Sequence, residues 1–221
     1  MARKSQDREN LRIKAYKEIR DRILMFELRP GEKIFEKDLA QSLKVSRTPV
    51  REALLILERE RLVECDERLG FIVRRMQVKE IDEFFQIREL LEVYAAPLII
   101  KRILPSEIAA LEKNIRKTSN HLEKLDYRNF VRGVIDFHEI LWRSVKSELF
   151  FQVISGLSDM FIWFRALTAR NREEMAVSLK GHKSILAAIR SKNTEELISA
   201  LRNHLSHSKE SNKIIHGFLF G

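Results

Sequence analysis

Apolar residues recur every three or four positions along most of the chain, and that period predicts helices. Ile13, Tyr16, Ile19, Ile23 and Leu24 predict a first helix over residues 11–27, surrounded by Arg12, Lys14, Lys17, Arg20 and Arg22. Arg29-Pro30-Gly31-Glu32 ends it, because Pro30 disfavours helical geometry at the residue before it and Gly31 permits a turn. Residues 35–43 predict a short second helix with Leu39, Ala40 and Leu43 inward, followed by the tight link Lys44-Val45-Ser46. A third helix is expected from Thr48-Pro49 to about Arg61. Thr48 suits its cap and Pro49 its first position, with Val50, Leu54, Leu55, Leu57 and Leu62 on the buried side. Two short β-prone runs follow, Leu62 to Cys65 and Phe71 to Arg74, joined by Asp66 to Gly70 as a hairpin loop.

After Met76 the pattern is helical throughout. Helices are expected over 78–103, 106–123, 127–146, 149–169, 171–191 and 195–218, with a kink at Pro97 and a capped start at Asn193-Thr194-Glu195-Glu196. The predicted architecture is mainly α: a winged helix-turn-helix module over residues 1–76 and an all-helical bundle over 77–221.

Composition narrows this picture. Seven Gly and four Pro among 221 residues disfavour a turn-rich β fold. The longest apolar run, Val93 to Ile100, is too short to span a membrane, and the opening residues do not read as a secretory signal. A single cysteine, Cys65, excludes an internal disulfide and cysteine-based zinc fingers, and fits a cytoplasmic protein. The net charge is +9, and the first 75 residues hold 19 basic against 14 acidic side chains. That surplus favours polyanion partners without naming one.

The third helix of such a module enters the DNA major groove, where base edges carry a full donor and acceptor code. Its leading residues are Ser46-Arg47-Thr48-Pro49-Val50-Arg51. Arg47 and Arg51 are one turn apart and can face one groove, while the Ser46 and Thr48 hydroxyls and the first free N–H groups suit a phosphate. Gly70 at the wing brings backbone close to DNA with no Cβ in the way. Taken singly, these residues are better read as solvated surface and caps. The whole string is more specific. Pro30-Gly31-Glu32-Lys33-Ile34, Asp38-Leu39-Ala40, Val45 to Leu54 and Leu69 to Val73 resemble the DNA-binding domain of the GntR family of bacterial regulators over residues 11–75. That resemblance implies DNA contacts at Lys37, Ser46, Arg47, Thr48, Arg51 and Gly70, with Lys37 a point charge where members often carry Arg.

Arg88 to Glu92, Phe137 to Leu141, Gly181 to Ile189 and His204-Leu205 resemble, over residues 77–215, the FCD-type effector domain of the family's FadR branch. The resemblance implies a dimerising bundle that binds a small organic acid, in many members beside a metal held by one Asp and three His. The positions matching the three histidines are His138, His182 and His204; His121, His207 and His216 do not match. Neutral imidazoles suit a divalent ion such as Zn or Ni. The position of the Asp ligand, four residues before the first His, is Val134 here. Asp136 lies about 200° around the helix from His138 and is no substitute. Ser147 stands where the pattern has Asn. Two readings therefore stand: a three-His site completed by water or an effector carboxylate, and a metal-free pocket lined by the same histidines. Arg88 is read either as partner of an effector carboxylate or as an i,i+4 partner of Glu92. The aromatic set Trp142, Phe150, Phe151, Phe161, Trp163 and Phe164, with Leu141, is read as core, dimer interface or pocket wall.

The expected function is a cytoplasmic, homodimeric, ligand-responsive transcription regulator, more often a repressor in this family, that reads an inverted-repeat operator and is not an enzyme. The alternative is a helical metalloenzyme with its ion on His138, His182 and His204. Against it, the nearby Glu139 points about 100° away from His138.

Overall fold

The computed structural model describes residues 2–66, 68–75, 77–169 and 171–220; side chains 2–8, 158, 159, 161 and 218–220 fall outside the description. The chain divides into two compact units, Met1–Met76 and Gln77–Gly221.

The first unit contains α1 (Ala2–Leu24), α2 (Glu36–Leu43), α3 (Arg47–Arg59), β1 (Val63–Asp66) and β2 (Gly70–Val73). Ala15, Ile19, Ile23 and Leu24 of α1 close on Val50, Ala53, Leu54 and Leu57 of α3, all essentially without solvent exposure. The inward stripe is narrower than the sequence pattern suggests: Ile13 and Leu55 are exposed. Leu55 lies on the side of α3 opposite Leu57, because successive helical residues turn through about 100°. The helix also starts earlier than its Thr48-Pro49 signal. Ser46 is the N-cap, and Pro49 fills the third helical position, where its missing N–H again costs nothing. Lys44, at φ 55°, turns the chain between α2 and α3.

β1 and β2 pair antiparallel with Val63 opposite Val73 and Asp66 opposite Gly70. The segment before α2 adds to the far edge of β2, where Ile34 N–H donates to Phe71 O at 2.8 Å and Val73 N–H donates to Glu32 O at 2.9 Å. At the hairpin tip Asp66 Oδ1 accepts the N–H groups of Arg68 and Leu69, at 2.8 and 2.7 Å. These bonds hold the Asp66 carboxyl below its ordinary range. Gly70 has φ +77°, a conformation that favours glycine, although the space around it is open.

The second unit contains α4 (Val78–Arg102), α5 (Pro105–Glu123), α6 (Tyr127–Arg143), α7 (Glu148–Ser155), α8 (Ser158–Thr168), α9 (Arg172–Arg190) and α10 (Thr194–Phe220). The expected helix over 149–169 is two helices, broken at Gly156-Leu157, with Ser147 capping α7 by accepting the Phe150 N–H at 3.3 Å. α4 continues through Pro97. Helix α4 packs on α10, α5 on α6 and α9, and α9 on α10. Leu141, Trp142, Phe150, Trp163 and Phe164 are core residues, while Phe151 is half-buried beneath the Arg143 guanidinium, 3.7 Å from its ring. Phe161 lies outside the described side chains.

Candidate functional site

The first candidate site is the leading half of α3. Its buried side is used up by Val50, Ala53, Leu54 and Leu57, which leaves Ser46, Arg47, Thr48 and Arg51 exposed together. The Ser46 hydroxyl makes no capping bond to its own helix, so it is available to a ligand. Lys37 is exposed on α2, and the nearest carboxylate to Arg51 is Glu36 at 4.0 Å, too long to hold the guanidinium firmly. Gly70 stands open at the hairpin, with nothing near where a Cβ would be. The exposed side chains at the start of α3 carry two positive charges and two hydroxyls, and Asp66 fixes the hairpin tip of the same unit.

The second candidate site lies inside the bundle. His138 on α6, His182 on α9 and His204 on α10 are buried, and one nitrogen from each falls within 4.8 Å of the others. Two packing features bring them together. Gly181 lets α10 approach α9, since a Cβ there would run into the His204 ring. The Phe137 ring lies parallel to that of His182, with centroids 4.0 Å apart. Burial, then the Arg88 charge, hold His138 well below its ordinary pKa; burial and then Arg165 do so for His182, and burial and then His182 for His204. All three are neutral imidazoles at neutral pH. Both ring nitrogens of His182, and Nε2 of His204, have no hydrogen-bond partner among the described residues.

The inward stripe of α4 runs Ile81, Phe84, Phe85, Arg88, Glu92, Ala95, Ala96 and Ile99, so a cation and an anion occupy core positions. Arg88 donates to Glu92 Oε1 at 2.6 Å, with both side chains 1% exposed. One amino nitrogen of Arg88 also lies 2.9 Å from His138 Nδ1 and 3.1 Å from Nε2. Trp142 donates its indole N–H to the same Glu92 oxygen at 3.3 Å. Arg88 therefore does pair with Glu92 at i,i+4, but deep in the core.

Val134 is fully buried and lines, with Arg165, Ser178 and Glu174, a partly open space of about 10 Å³, enough for about one water. Arg165 of α8 is a member of the site that the sequence reading missed. It donates to Ser208 at 2.8 Å, and burial lowers it to about 9, so it stays cationic at neutral pH. Its signal was a lone charge inside the apolar run from Ile162 to Leu167. Asp136 is exposed in a separate groove with Lys113 and Lys117. His121 pairs with Asp126 at 3.2 Å and His207 with Glu174 at 3.1 Å; His216 is buried further along α10. A groove of about 230 Å³ between α9 and α10, lined by Gly181, Ser184, His204 and His207, leads from the surface to His204.

Comparison with known proteins places both units. Residues 11–73 match the family described as bacterial regulatory proteins, gntR family, and residues 83–207 match the FCD domain. The HTH-type transcriptional regulator YdhC of Bacillus subtilis (strain 168) is 28% identical over 199 residues, covering 90% of this chain and 89% of that one. The gluconate operon transcriptional repressor of Bacillus licheniformis is 26% identical over 192 residues, covering 85% and 79%. The solved structure of Escherichia coli McbR/YncC superposes with a TM-score of 0.77 at 22% identity, covering 94% of this chain and 98% of that one, which shows a shared fold.

The close approach at position 181 generates a prediction of defined sign. On helix propensity alone Gly181→Ala would stabilise α9 by about 1 kcal/mol. Because the methyl meets the His204 ring, the substitution is expected instead to destabilise the protein by about 1–3 kcal/mol. Thermal unfolding checks this; a melting temperature above wild type would contradict the packing.

Proposed function

Because the chain belongs to the GntR family of bacterial regulators and carries an FCD domain over more than half its length, we propose that it is a cytoplasmic homodimeric repressor whose DNA binding is released by a small organic acid. The family and its named members are transcriptional regulators, which sets the metalloenzyme reading aside. Members bind operator DNA and small-molecule effectors, and no described helix is long and apolar enough to cross a membrane.

The observation that carries the DNA assignment is the exposed set Ser46, Arg47, Thr48 and Arg51 on a helix whose other side is fully used by the core. Residues 1–76 form the DNA-reading domain and 77–221 the effector and dimer domain. Arg47 and Arg51 reach guanine edges or phosphates, Ser46, Thr48 and Lys37 hold phosphates, and Gly70 brings the wing to the backbone. Two such heads read an inverted repeat.

The effector assignment is supported by the charge of the bundle interior. Among the described residues its fully buried formal charges are Arg88, Arg165 and Glu92, beside three neutral imidazoles, with the Glu174 carboxylate lining the same small space as Arg165. The two guanidiniums are donors suited to an organic anion. The groove at Gly181 and His204 is its route inward. A divalent ion fits the donor chemistry of the trio, with unpartnered nitrogens on His182 and His204 and the third nitrogen from His138. When bound it would supply a Lewis-acidic anchor for the effector carboxylate. Val134 contributes no ligand, so such an ion would lack the compensating charge of an Asp.

Self-association is supported by an apolar stripe at the surface of the second unit. Ile87, Leu90 and Tyr94 on α4 and Leu149 and Val153 on α7 are exposed, Leu90 and Leu149 by more than 70%. Tyr94 and Phe150 bring the two helices side by side, with ring centroids 6.5 Å apart. A second copy of the chain covers this stripe in the proposed dimer.

Two outcomes follow. Arg47→Ala or Arg51→Ala should each weaken operator binding by about 1–3 kcal/mol where the side chain reads a guanine, with helical content unchanged. Electrophoretic mobility shift on the chain's own upstream DNA measures this, and wild-type affinity in both variants would refute the α3 assignment. Leu90→Asp with Leu149→Asp should convert the dimer to monomer in analytical ultracentrifugation. A double variant that sediments as wild type would place the interface elsewhere.

A further inference from the structure

Phe35 carries an exposed aromatic ring that neither the core nor its own helix uses. It is the N-cap of α2 and 55% exposed, and its side chain offers no oxygen to the first N–H groups of the helix, where Ser, Thr, Asp and Asn are preferred. Its backbone is nevertheless held on both sides. The preceding Ile34 is buried and donates its N–H to Phe71 O at 2.8 Å, and Phe35 O accepts the N–H groups of Asp38 and Leu39, each at 3.1 Å. The ring therefore projects from a fixed point of the first unit. The Lys33 ammonium lies 5.2 Å from the ring centroid. The next residue, Glu36, approaches the Arg51 guanidinium at 4.0 Å, which puts the start of α2 beside the exposed side of α3, and Lys37 is exposed one residue further on.

Single apolar side chains at a protein surface are ordinary and need no partner. This one stands beside Lys33, Lys37 and Arg51, and cations so grouped fit a polyanion. Of the four bases, thymine alone shows a methyl group in the major groove, and apolar side chains, phenylalanine among them, are what contact it. Resting on the assignment of α3 as the DNA-reading helix, we propose that Phe35 is a specificity-determining residue: its ring packs on the 5-methyl groups of thymines next to the bases that Arg51 faces. Lys33, alongside the ring, offers its ammonium to a neighbouring phosphate. The start of α2 then reads sequence as well as backbone, and it does so through a contact that involves no hydrogen bond.

The test selects a bound duplex from a random-sequence library with the full-length wild-type protein. That duplex is then synthesised with thymine and with uracil, which lacks only the 5-methyl group. Burying one methyl is worth about fourfold in affinity and two heads bind, so wild type should bind the uracil duplex roughly fifteenfold more weakly. Phe35→Ala should bind the two duplexes within about twofold of each other, the non-additivity that marks a direct contact. Phe35→Ser should do the same while placing a favoured cap on α2, which separates loss of the ring from weakening of the helix. Leu55→Ala is the comparison, because Leu55 is exposed on α3 one turn beyond Arg51; it should keep the wild-type ratio. Equal affinity of wild type for both duplexes overturns the proposal. So does a Phe35→Ala protein that retains the full thymine preference or loses affinity equally on both duplexes, and so does a preference abolished by Leu55→Ala alone. A wild type that selects no sequence at all removes the DNA-reading assignment and the role of Phe35 with it, an outcome distinct from sequence-selective binding that ignores the methyl groups.

Discussion

The bundle is organised around a buried ion pair. Arg88 and Glu92 occupy adjacent inward positions of α4, each 1% exposed, where a hydrophobic stripe would otherwise continue. Taking two charges out of water costs several kcal/mol per ion, and well-packed apolar residues would often be as stable or more so. The pair is explained by what surrounds it. Trp142 and His138 both reach toward it, and His138 in turn stands next to His182 and His204. Four helices of the bundle meet here, α4, α6, α9 and α10, and α10 packs closely on both α4 and α9. The interior is thus polar at its centre, at the expense of a purely apolar core.

The N-terminal unit obeys a different constraint. Its core is small and wholly apolar, made by one side each of α1 and α3 with the hairpin residues Val63, Phe71 and Val73. Stability requires only those sides, so the other side of α3 is left to hydroxyls and arginines. The pairing of residues 31–34 with β2 fixes the hairpin to the segment that leads into α2. Rigid support beneath exposed, long side chains is what a reader of base edges needs, because their placement decides which atoms they reach.

Much of this was legible in the chain. Helical period and the Pro30-Gly31 break located the head, and the string from Val45 to Leu54 located α3. The three histidines were found by position, since spacing along three separate helices carries no geometric information of its own. What escaped was determined by tertiary packing. Leu55 looked like core because it is leucine, but its angular position on α3 exposes it. Gly156 and Leu157 broke a segment whose apolar content suggested one helix. Arg165 was hidden because a single charge in an apolar run is equally compatible with a surface residue, and only the fold turns it inward. Gly181 was visible as a letter, but its need is set by the His204 ring on another helix.

Val134 and Arg165 together set the charge beside the histidine cluster. They line one small, partly open space together with Glu174, so the residue standing at the position of an expected carboxylate has a guanidinium and a carboxylate for neighbours. A carboxylate at 134 would offset that guanidinium or serve a metal, and either role would lower the positive potential felt by an incoming dication. Valine does neither. The direction follows from sign alone: binding of cations is weakened and that of carboxylates strengthened. A neutral three-histidine cluster can still hold an ion, completed by water or by a ligand carboxylate.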